Sequence, residues 1–437
     1  MRTGGDAFRR NRYGRMSHGF VPGVSLKAHV LVGRYARPSL SCARLLRGPA
    51  SSSCARLLFK AMFIKRGGHG GPPLHCASNA RSNRNASRLQ ASRRRVFALS
   101  VIVGFGLCVT QACGTSSRVR GNTVTLTIGG YTTPREAYGK GIIPAFQKYW
   151  KDKTGQDIEF QESYQGSGPQ SRAIIGGFEA DIAALSLEGD IGRIAEAGLI
   201  THEWRSKPNG GIVSTSIVVI AVREGNPRNI KDWPDLAVPG LNVLTPDPKT
   251  SGGAQWNVNA IYGSALRGFA NSPKDDRGAA QKLLKDVLRN VSIMDRGARE
   301  SLTNYERGVG DAAITYENEV LVGRLAGQKY EYVIPRSTIL IENPVALIDK
   351  YVDKHGVRAA AEAFVDFLWS EEAQRAYANY GLRPVNQKVA REFRLRFSDV
   401  DDLWRIGFLG GWKSVAADIY GPQGVYTTVI EELRASR

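Results

Sequence analysis

Three short turns hold the residues of this chain best suited to chemistry. The first is Ser163-Tyr-Gln-Gly-Ser-Gly-Pro-Gln-Ser171, where a strand ends, small residues turn the chain and a helix begins. Ser167 is expected to cap that helix with its hydroxyl and to offer its own N–H outward, with glycine neighbours letting a ligand reach the backbone. The second is Asp247-Pro-Lys-Thr-Ser-Gly-Gly-Ala254, in which the N–H groups of Ser251, Gly252 and Gly253 are expected to point into one spot at a positive helix end. The third is Met294-Asp-Arg-Gly-Ala-Arg-Glu300, where the N–H of Ala298 would stand at a helix start. A single turn of this kind is an ordinary helix cap. Three of them, each after a strand, supply many uncharged donors and few fixed charges. A small tetrahedral dianion can be held that way, because each helix start carries about half a positive charge. Each charge-assisted hydrogen bond is worth roughly 1.5–3 kcal/mol. A site built only of donors also selects. A fully ionised anion needs no acceptor from the protein, whereas an anion that carries a hydrogen meets an unmatched donor.

Signatures of catalysis are missing. The sequence has no His-Glu-x-x-His, no Gly-x-Ser-x-Gly and no phosphate loop ending in Gly-Lys-Ser/Thr. Beyond residue 120 there are only two histidines, His202 in a loop and His355 near a helix start, both expected on solvated surface. Ser167 and Ser251 have no base nearby in sequence. The expectation is a binding protein with no catalytic residue, no metal and no cofactor.

These turns need a rigid frame. Val124, Leu126 and Ile128 alternate with threonines, which is a strand pattern. Pro134 then opens a helix with Ala137, Ile142, Phe146 and Trp150 on one face, and Gly155 ends it. A strand is expected from Asp157 to Gln161 and a buried one in Asp181-Ile-Ala-Ala-Leu185. Further strands are expected at 216–222, 241–245, 291–294, 311–316 and 330–334, and helices at 253–268, 278–289, 298–308, 317–326 and 355–381. Short β-branched runs that alternate with amphipathic helices imply an α/β fold of parallel sheets with helices on both faces. A body of about 315 residues exceeds one ordinary domain, so two lobes are expected, with the ligand at the strand ends in the cleft between them. The expected division is 123–212 for the first lobe, 213–318 for the second, and 319–437 for a hinge return and the rest of the first. The chain would cross between lobes near 211–218 and again near 317–345.

Composition sets the remaining limits. The chain has 437 residues and a formal net charge of +20. Of its 60 Lys and Arg, 22 precede residue 121, together with one acidic residue, Asp6; residues 121–437 therefore carry 38 basic and 39 acidic groups, a net of −1. A nearly neutral body lacks the positive field that nucleic-acid binding needs. All five cysteines (Cys42, Cys54, Cys76, Cys108, Cys113) lie in the first 113 residues, so the body stands without disulfides. Residues 1–92 are rich in Arg, Ser and Gly and read as disordered or as a non-native N-terminal extension. Residues 93–113 read as an export signal: Arg93-Arg94-Arg95, an apolar run from Val96 to Val109, then Thr110-Gln-Ala-Cys113. That end fits a loose lipobox, with Cys113 lipidated, or an ordinary signal-peptidase site. Residues 114–122 read as a polar tether.

From Thr123 to Leu433 the chain resembles the sulfate-binding proteins of bacterial ABC importers, including their thiosulfate-binding relatives. The resemblance rests on Gly166-Ser-Gly-Pro-Gln-Ser171, Ala180-Asp-Ile-Ala-Ala-Leu-Ser186, Pro248-Lys-Thr-Ser-Gly-Gly-Ala254 and Tyr316-Glu-Asn-Glu319, with support from Gly225-Asn-Pro227 and Asp232-Trp-Pro-Asp-Leu236. It implies a two-lobed periplasmic binding protein fold of type II, with a ligand cleft between the lobes and two hinge crossings. It also implies capture of sulfate by a monomer in the periplasm or on the extracytoplasmic membrane face, with delivery to an ABC permease and its ATPase subunits. Thiosulfate, molybdate or another oxyanion is the alternative ligand, and an enzyme acting on an oxyanion ester the more distant one. Carried over by motif, the ligand contacts are Ser167, Ser251, Gly252, Gly253 and Ala298. Tyr316 stands where the family places an indole N–H. Tyr131, Arg135 and Arg299 are expected just behind the contacts. Asp247 and Gln255 replace the family's Asn and Arg on either side of the second turn.

Overall fold

The structure, a computed structural model, describes residues 119–436. The N-terminal extension of 1–92 and the export signal of 93–113 with Cys113 lie outside the described residues. Val119–Arg120 pairs back on the first long strand, so ordered pairing begins just before Thr123.

The first lobe opens with β1 (Thr123–Tyr131), α1 (Ile143–Thr154), β2 (Asp157–Gln165), α2 (Ser167–Ile175), β3 (Ile182–Ala184) and α3 (Glu188–Glu196). β1 lies between β2 and β3 and runs parallel to both, with Ile128 opposite Glu162 on one side and Ile182 on the other. Its alternating Val124, Leu126 and Ile128 are buried in one core with Phe146 and Trp150 of α1. Those two residues sit four apart on one helix face, which is why they stack, with ring centroids 6.0 Å apart. α1 ends at Gly155, whose φ of 73° suits a residue without Cβ.

β4 (Ile212–Val222) is eleven residues long and serves both lobes. The second lobe follows with β5 (Val243–Pro246), α4 (Gly252–Leu266), α5 (Arg277–Arg289), β6 (Val291–Asp295), α6 (Ala298–Glu306), β7 (Ala312–Tyr316), α7 (Glu317–Leu325) and β8 (Glu331–Val333). Its sheet runs β4-β7-β5-β6, with β5 parallel to both neighbours. β9 (Ser337–Leu347) is the second strand shared by the lobes. Its residues 340–343 pair antiparallel with 214–217 of β4, and its end pairs with β3 in the first lobe. The remainder of β4, from Val218, pairs with β7 and β8 of the second lobe. Two adjacent strands therefore join the lobes.

A single helix over 355–381 is not formed. α8 (Asp349–His355), α9 (Arg358–Phe367) and α10 (Glu371–Asn379) replace it, because Gly356 (φ 67°) stops the first and Ser370 caps the third by accepting the N–H of Ala373. The assignment of 319–437 to the hinge and first lobe also needs correction. Val320 and Tyr330 sit in a second-lobe core with Leu302 and Tyr305. The C-terminal segment, with β10 (Asp402–Trp404), α11 (Gly411–Asp418) and α12 (Val425–Ala435), packs there too. Trp404, Ile419, Val429 and Leu433 share a core with Trp256 and Leu284, and Lys285 meets Glu432 at 2.7 Å. Among the described residues no helix is long and apolar enough to cross a membrane.

Candidate functional site

Each of the three turns becomes the start of a helix that follows a strand: β2 into α2, β5 into α4, β6 into α6. The first belongs to one lobe and the other two to the opposite lobe, and they meet face to face. A Cβ on Gly166 would overlap the carbonyl oxygen of Thr250 and lie 3.4 Å from that of Arg296. A Cβ on Gly252 would lie 2.6 Å from Ser186 Oγ in the first lobe. One on Gly253 would lie 2.7 Å from the Tyr316 ring and 3.3 Å from both Ala298 Cβ and Ser251 Oγ. The lobes can close this far only because these positions lack side chains. Ser167, Ser251, Gly252, Gly253, Ala298 and Tyr316 are all buried.

The first N–H groups of each helix have no carbonyl one turn back. Those of Ser167, Gly252, Gly253 and Ala298 are therefore available for an anion. Two expectations fail in detail. Ser167 is the first residue of α2 and does not cap it; Gly166 (φ −61°, ψ 147°) holds the cap position. The Ser167 hydroxyl instead donates to the buried carboxylate of Asp190 and accepts the N–H of Ser186 at 3.0 Å. Ser251 does not add its N–H to the nest, because that group donates to the Asp247 carbonyl at 2.8 Å. Its hydroxyl oxygen caps α4 by accepting the N–H of Ala254 at 3.3 Å, which leaves the hydroxyl hydrogen to donate.

Tyr316 ends β7 and places its hydroxyl 2.7 Å from Ser186 Oγ of the other lobe. Trp256 Nε1 donates to the Ser186 carbonyl at 3.1 Å, so Ser186 is held from the second lobe at two points. Of the supporting residues, Tyr131 lies with its ring 6.3 Å from that of Tyr316 and donates to Asn343 Oδ1 at 2.8 Å. Arg135 is exposed and stands 5.8 Å over the Tyr164 ring, on the outside of the first lobe. Arg299 bridges the lobes: its guanidinium is 3.1 Å from Glu136 of the first lobe and 2.6 Å from the buried Glu319 of the second. Gln255 turns its amide back to the Pro248 carbonyl at 3.1 Å, and Asp247 accepts the N–H of Lys249 at 2.9 Å.

The charges of Asp190, Arg299 and Glu319 are thus paired within the protein, and the free N–H donors are neutral. Burial raises the pKa of Asp190, against the opposing pull of Arg193 and the Ser167 hydrogen bond. Burial likewise raises the pKa of Glu319, against Arg299. For Arg299 burial works against the charge, but Glu319 and Glu136 outweigh it and raise the guanidinium pKa. Burial keeps the Tyr316 phenol neutral by pushing its pKa well up. A groove of about 420 Å³ lined by Thr132, Gln165, Gly166, Thr250 and Gly297 opens beside the donors.

Sequence reasoning missed Ser186, Asp190, Glu136 and Trp256. Ser186 ends a motif already singled out, Ala180 to Ser186, which was the available signal. His355 is also corrected. It is buried, with Nδ1 2.6 Å from Asp181 and Nε2 2.8 Å from Glu179, and it ties α8 to the loop before β3. His202 is partly exposed and pairs with Asp349 at 2.6 Å.

Comparison with known proteins gives the family. Residues 126–383 match the family described as bacterial extracellular solute-binding protein. The chain is 40% identical over 343 residues to the sulfate-binding protein of Synechococcus elongatus, covering 77% of this chain and 96% of that protein. It is 36% identical over 304 residues to the thiosulfate-binding protein of Pseudomonas aeruginosa, covering 68% of this chain and 90% of that protein. Among solved structures, the sulfate-binding protein SubI from Mycobacterium tuberculosis superposes with a TM-score of 0.61 at 34% identity, over 68% of this chain and 98% of that one.

Proposed function

The chain belongs to the sulfate-binding family of extracellular solute-binding proteins, and from that premise we propose that it captures sulfate in the cleft between its lobes for an ABC importer. One observation supports the reading: helix starts from both lobes, with N–H groups unspent, face one another across a buried cleft. Ser167, Gly252, Gly253 and Ala298 contribute N–H donors, and Ser251 and Tyr316 contribute hydroxyls. An anion that enters an open cleft meets one half of the set on each lobe, so binding favours closure. Such a protein binds and releases its ligand unchanged and is not an enzyme. The sulfate-binding protein of Synechococcus elongatus, at 40% identity, is somewhat more similar than the thiosulfate-binding one, at 36%, which favours sulfate. Export through the 93–113 signal, lipidation at Cys113 and docking on a membrane permease with its ATPase subunits complete the proposal.

The test is thermal unfolding of the purified protein, stripped of carried-over anion, with sulfate, thiosulfate and molybdate added in turn. A ligand at 1,000 times its Kd stabilises by about 4 kcal/mol, which for a folded body of this size raises the midpoint by roughly 6 °C. The largest shift is expected with sulfate. No shift with any of the three would refute the assignment of this cleft.

A further inference from the structure

Among the candidate contacts, nearly every polar group has a fixed direction. The N–H groups of Ser167, Gly252, Gly253 and Ala298 can only donate. The Ser251 oxygen already accepts from Ala254, so its hydroxyl faces a ligand as a donor. The Ser167 hydroxyl gives its only hydrogen to Asp190 and accepts from Ser186, so it has none to donate to a ligand. The exception is the pair formed by Ser186 Oγ and Tyr316 Oη, 2.7 Å apart and buried, in which either oxygen can be the donor. Two hydroxyls hold two hydrogens, and one is spent between them. No other hydrogen bond to either hydroxyl forms among the described residues, so one hydrogen and several lone pairs remain. The pair borders the nest directly: Cβ positions on Gly252 and Gly253 would touch Ser186 Oγ and the Tyr316 ring at 2.6 and 2.7 Å.

We propose that Ser186 is a further specificity-determining residue of the cleft, and that with Tyr316 it forms a contact able to switch between donating and accepting. Toward a fully ionised anion the pair turns its free hydrogen outward. Toward a tetrahedral anion that carries one hydrogen, such as hydrogen phosphate, the hydroxyls rotate and present a lone pair. No covalent bond is made or broken: one hydroxyl gives its hydrogen to the other and turns a lone pair to the anion's O–H, while the second hydroxyl's hydrogen goes to an unprotonated oxygen of the same anion. A site of donors alone rejects an anion with a mismatched hydrogen-bonding group by about 10⁴- to 10⁵-fold. With one convertible contact, discrimination between sulfate and hydrogen phosphate falls below that range. The ligand class widens to tetrahedral dianions in either protonation state, with sulfate still the tighter ligand.

This inference rests on the oxyanion reading of the cleft, and sulfate binding by the unaltered full chain at pH 8 is the control that separates the two. The experiment is competition: sulfate-loaded protein titrated with inorganic phosphate, followed by calorimetry. Phosphate is expected to displace sulfate with a Kd less than about 10⁴-fold weaker. The double substitution Ser186→Ala/Tyr316→Trp leaves a donor, since an indole N–H cannot accept, and removes the hydroxyls. In it the sulfate-to-phosphate ratio should rise at least tenfold while sulfate still binds. An unchanged ratio would overturn the proposal. Should that variant fail to fold, failure of a 10⁵-fold excess of phosphate to displace sulfate from the unaltered chain overturns it as well. A pair that merely held the lobes together would weaken both anions by one factor, and that result also sinks the assignment. Absence of sulfate binding in the unaltered chain would instead refute the underlying reading.

Discussion

Replacing Gly252 by alanine adds one methyl group at the start of α4, and the structure sets its effects on folding and on binding in opposite directions. The three atoms nearest the new Cβ all belong to the first lobe, and the helix itself favours the change. Gly252 is the first helical residue, with no left-handed backbone to preserve, and alanine in a helix is favoured over glycine by up to about 1 kcal/mol. Across the cleft the new Cβ would lie 2.6 Å from Ser186 Oγ, 2.7 Å from Ser186 Cβ and 3.0 Å from Leu187 Cγ, all of the first lobe. Ordinary van der Waals contact begins near 3.4 Å, so the two sides must part by several tenths of an ångström. Ser186 cannot retreat alone, because its N–H bonds Ser167 and its carbonyl bonds Trp256. Overpacking of this kind typically costs about 1–3 kcal/mol, and here the cost falls only on the closed form. Sulfate affinity should therefore drop by about 5- to 150-fold. The unfolding midpoint without anion should stay the same or rise. Calorimetric titration and a melt of the anion-free protein check both. Unchanged affinity would refute the claim that the ligand-bound state closes to the geometry described, and a lowered anion-free midpoint would refute the claim that the clash belongs to closure alone.

Other substitutions probe individual groups. Ser251→Ala removes one donated hydroxyl hydrogen and one cap, and sulfate binding should weaken by about 1–2 kcal/mol; equal affinity in a titration would remove that hydroxyl from the contact set. Gly252→Asp places a carboxylate in the nest and should abolish binding of any dianion, and retained tight binding would move the site elsewhere. Arg299→Met takes the cation from the buried Glu319, at a cost below the roughly 3–5 kcal/mol typical of a fully buried pair, since 31% of the Arg299 side chain is exposed. The folded-state pKa of Glu319 is already raised by burial, and without Arg299 it rises further. A raised carboxyl pKa means that stability is lost as pH climbs through it. The variant should therefore fall further below the unaltered protein in unfolding midpoint at pH 8 than at pH 5, and an equal deficit at both would show that Glu319 does not titrate as argued.

Local periodicity carried much of the fold. The threonine-spaced Val124, Leu126 and Ile128 could only face one core, and helix starts at 252, 277, 298 and 317 follow from small or acidic residues ahead of apolar repeats. β9 was not legible because Glu342, Asn343 and Pro344 interrupt its pattern. It persists as a strand because it pairs on both sides, and Pro344 falls at a register shift where its missing N–H is tolerated. The docking of α12 was hidden for another reason. Val429 and Leu433 lie on one face of the helix, which announces that the face is buried without saying against which lobe.

The site divides along the same line. Donors supplied by the backbone were readable, because a Gly- or Ser-rich turn between strand and helix fixes where an N–H points from local geometry alone. The roles of side chains were not, because each is settled by a distant partner. Ser167 looked like a cap until Asp190, 23 residues on, took its hydrogen. Tyr316 looked like an isolated donor, yet its partner Ser186 lies 130 residues away on the facing lobe. Arg299 was expected just behind the contacts, and Glu136 and Glu319 claim it there from opposite lobes. These pairings have a common consequence. They use up cations and hydroxyls that could have met the ligand, and two of them, Ser186–Tyr316 and Glu136–Arg299, form only when the lobes meet. What the closed cleft offers an anion is then set less by which residues line it than by which of their hydrogens closure leaves unspent.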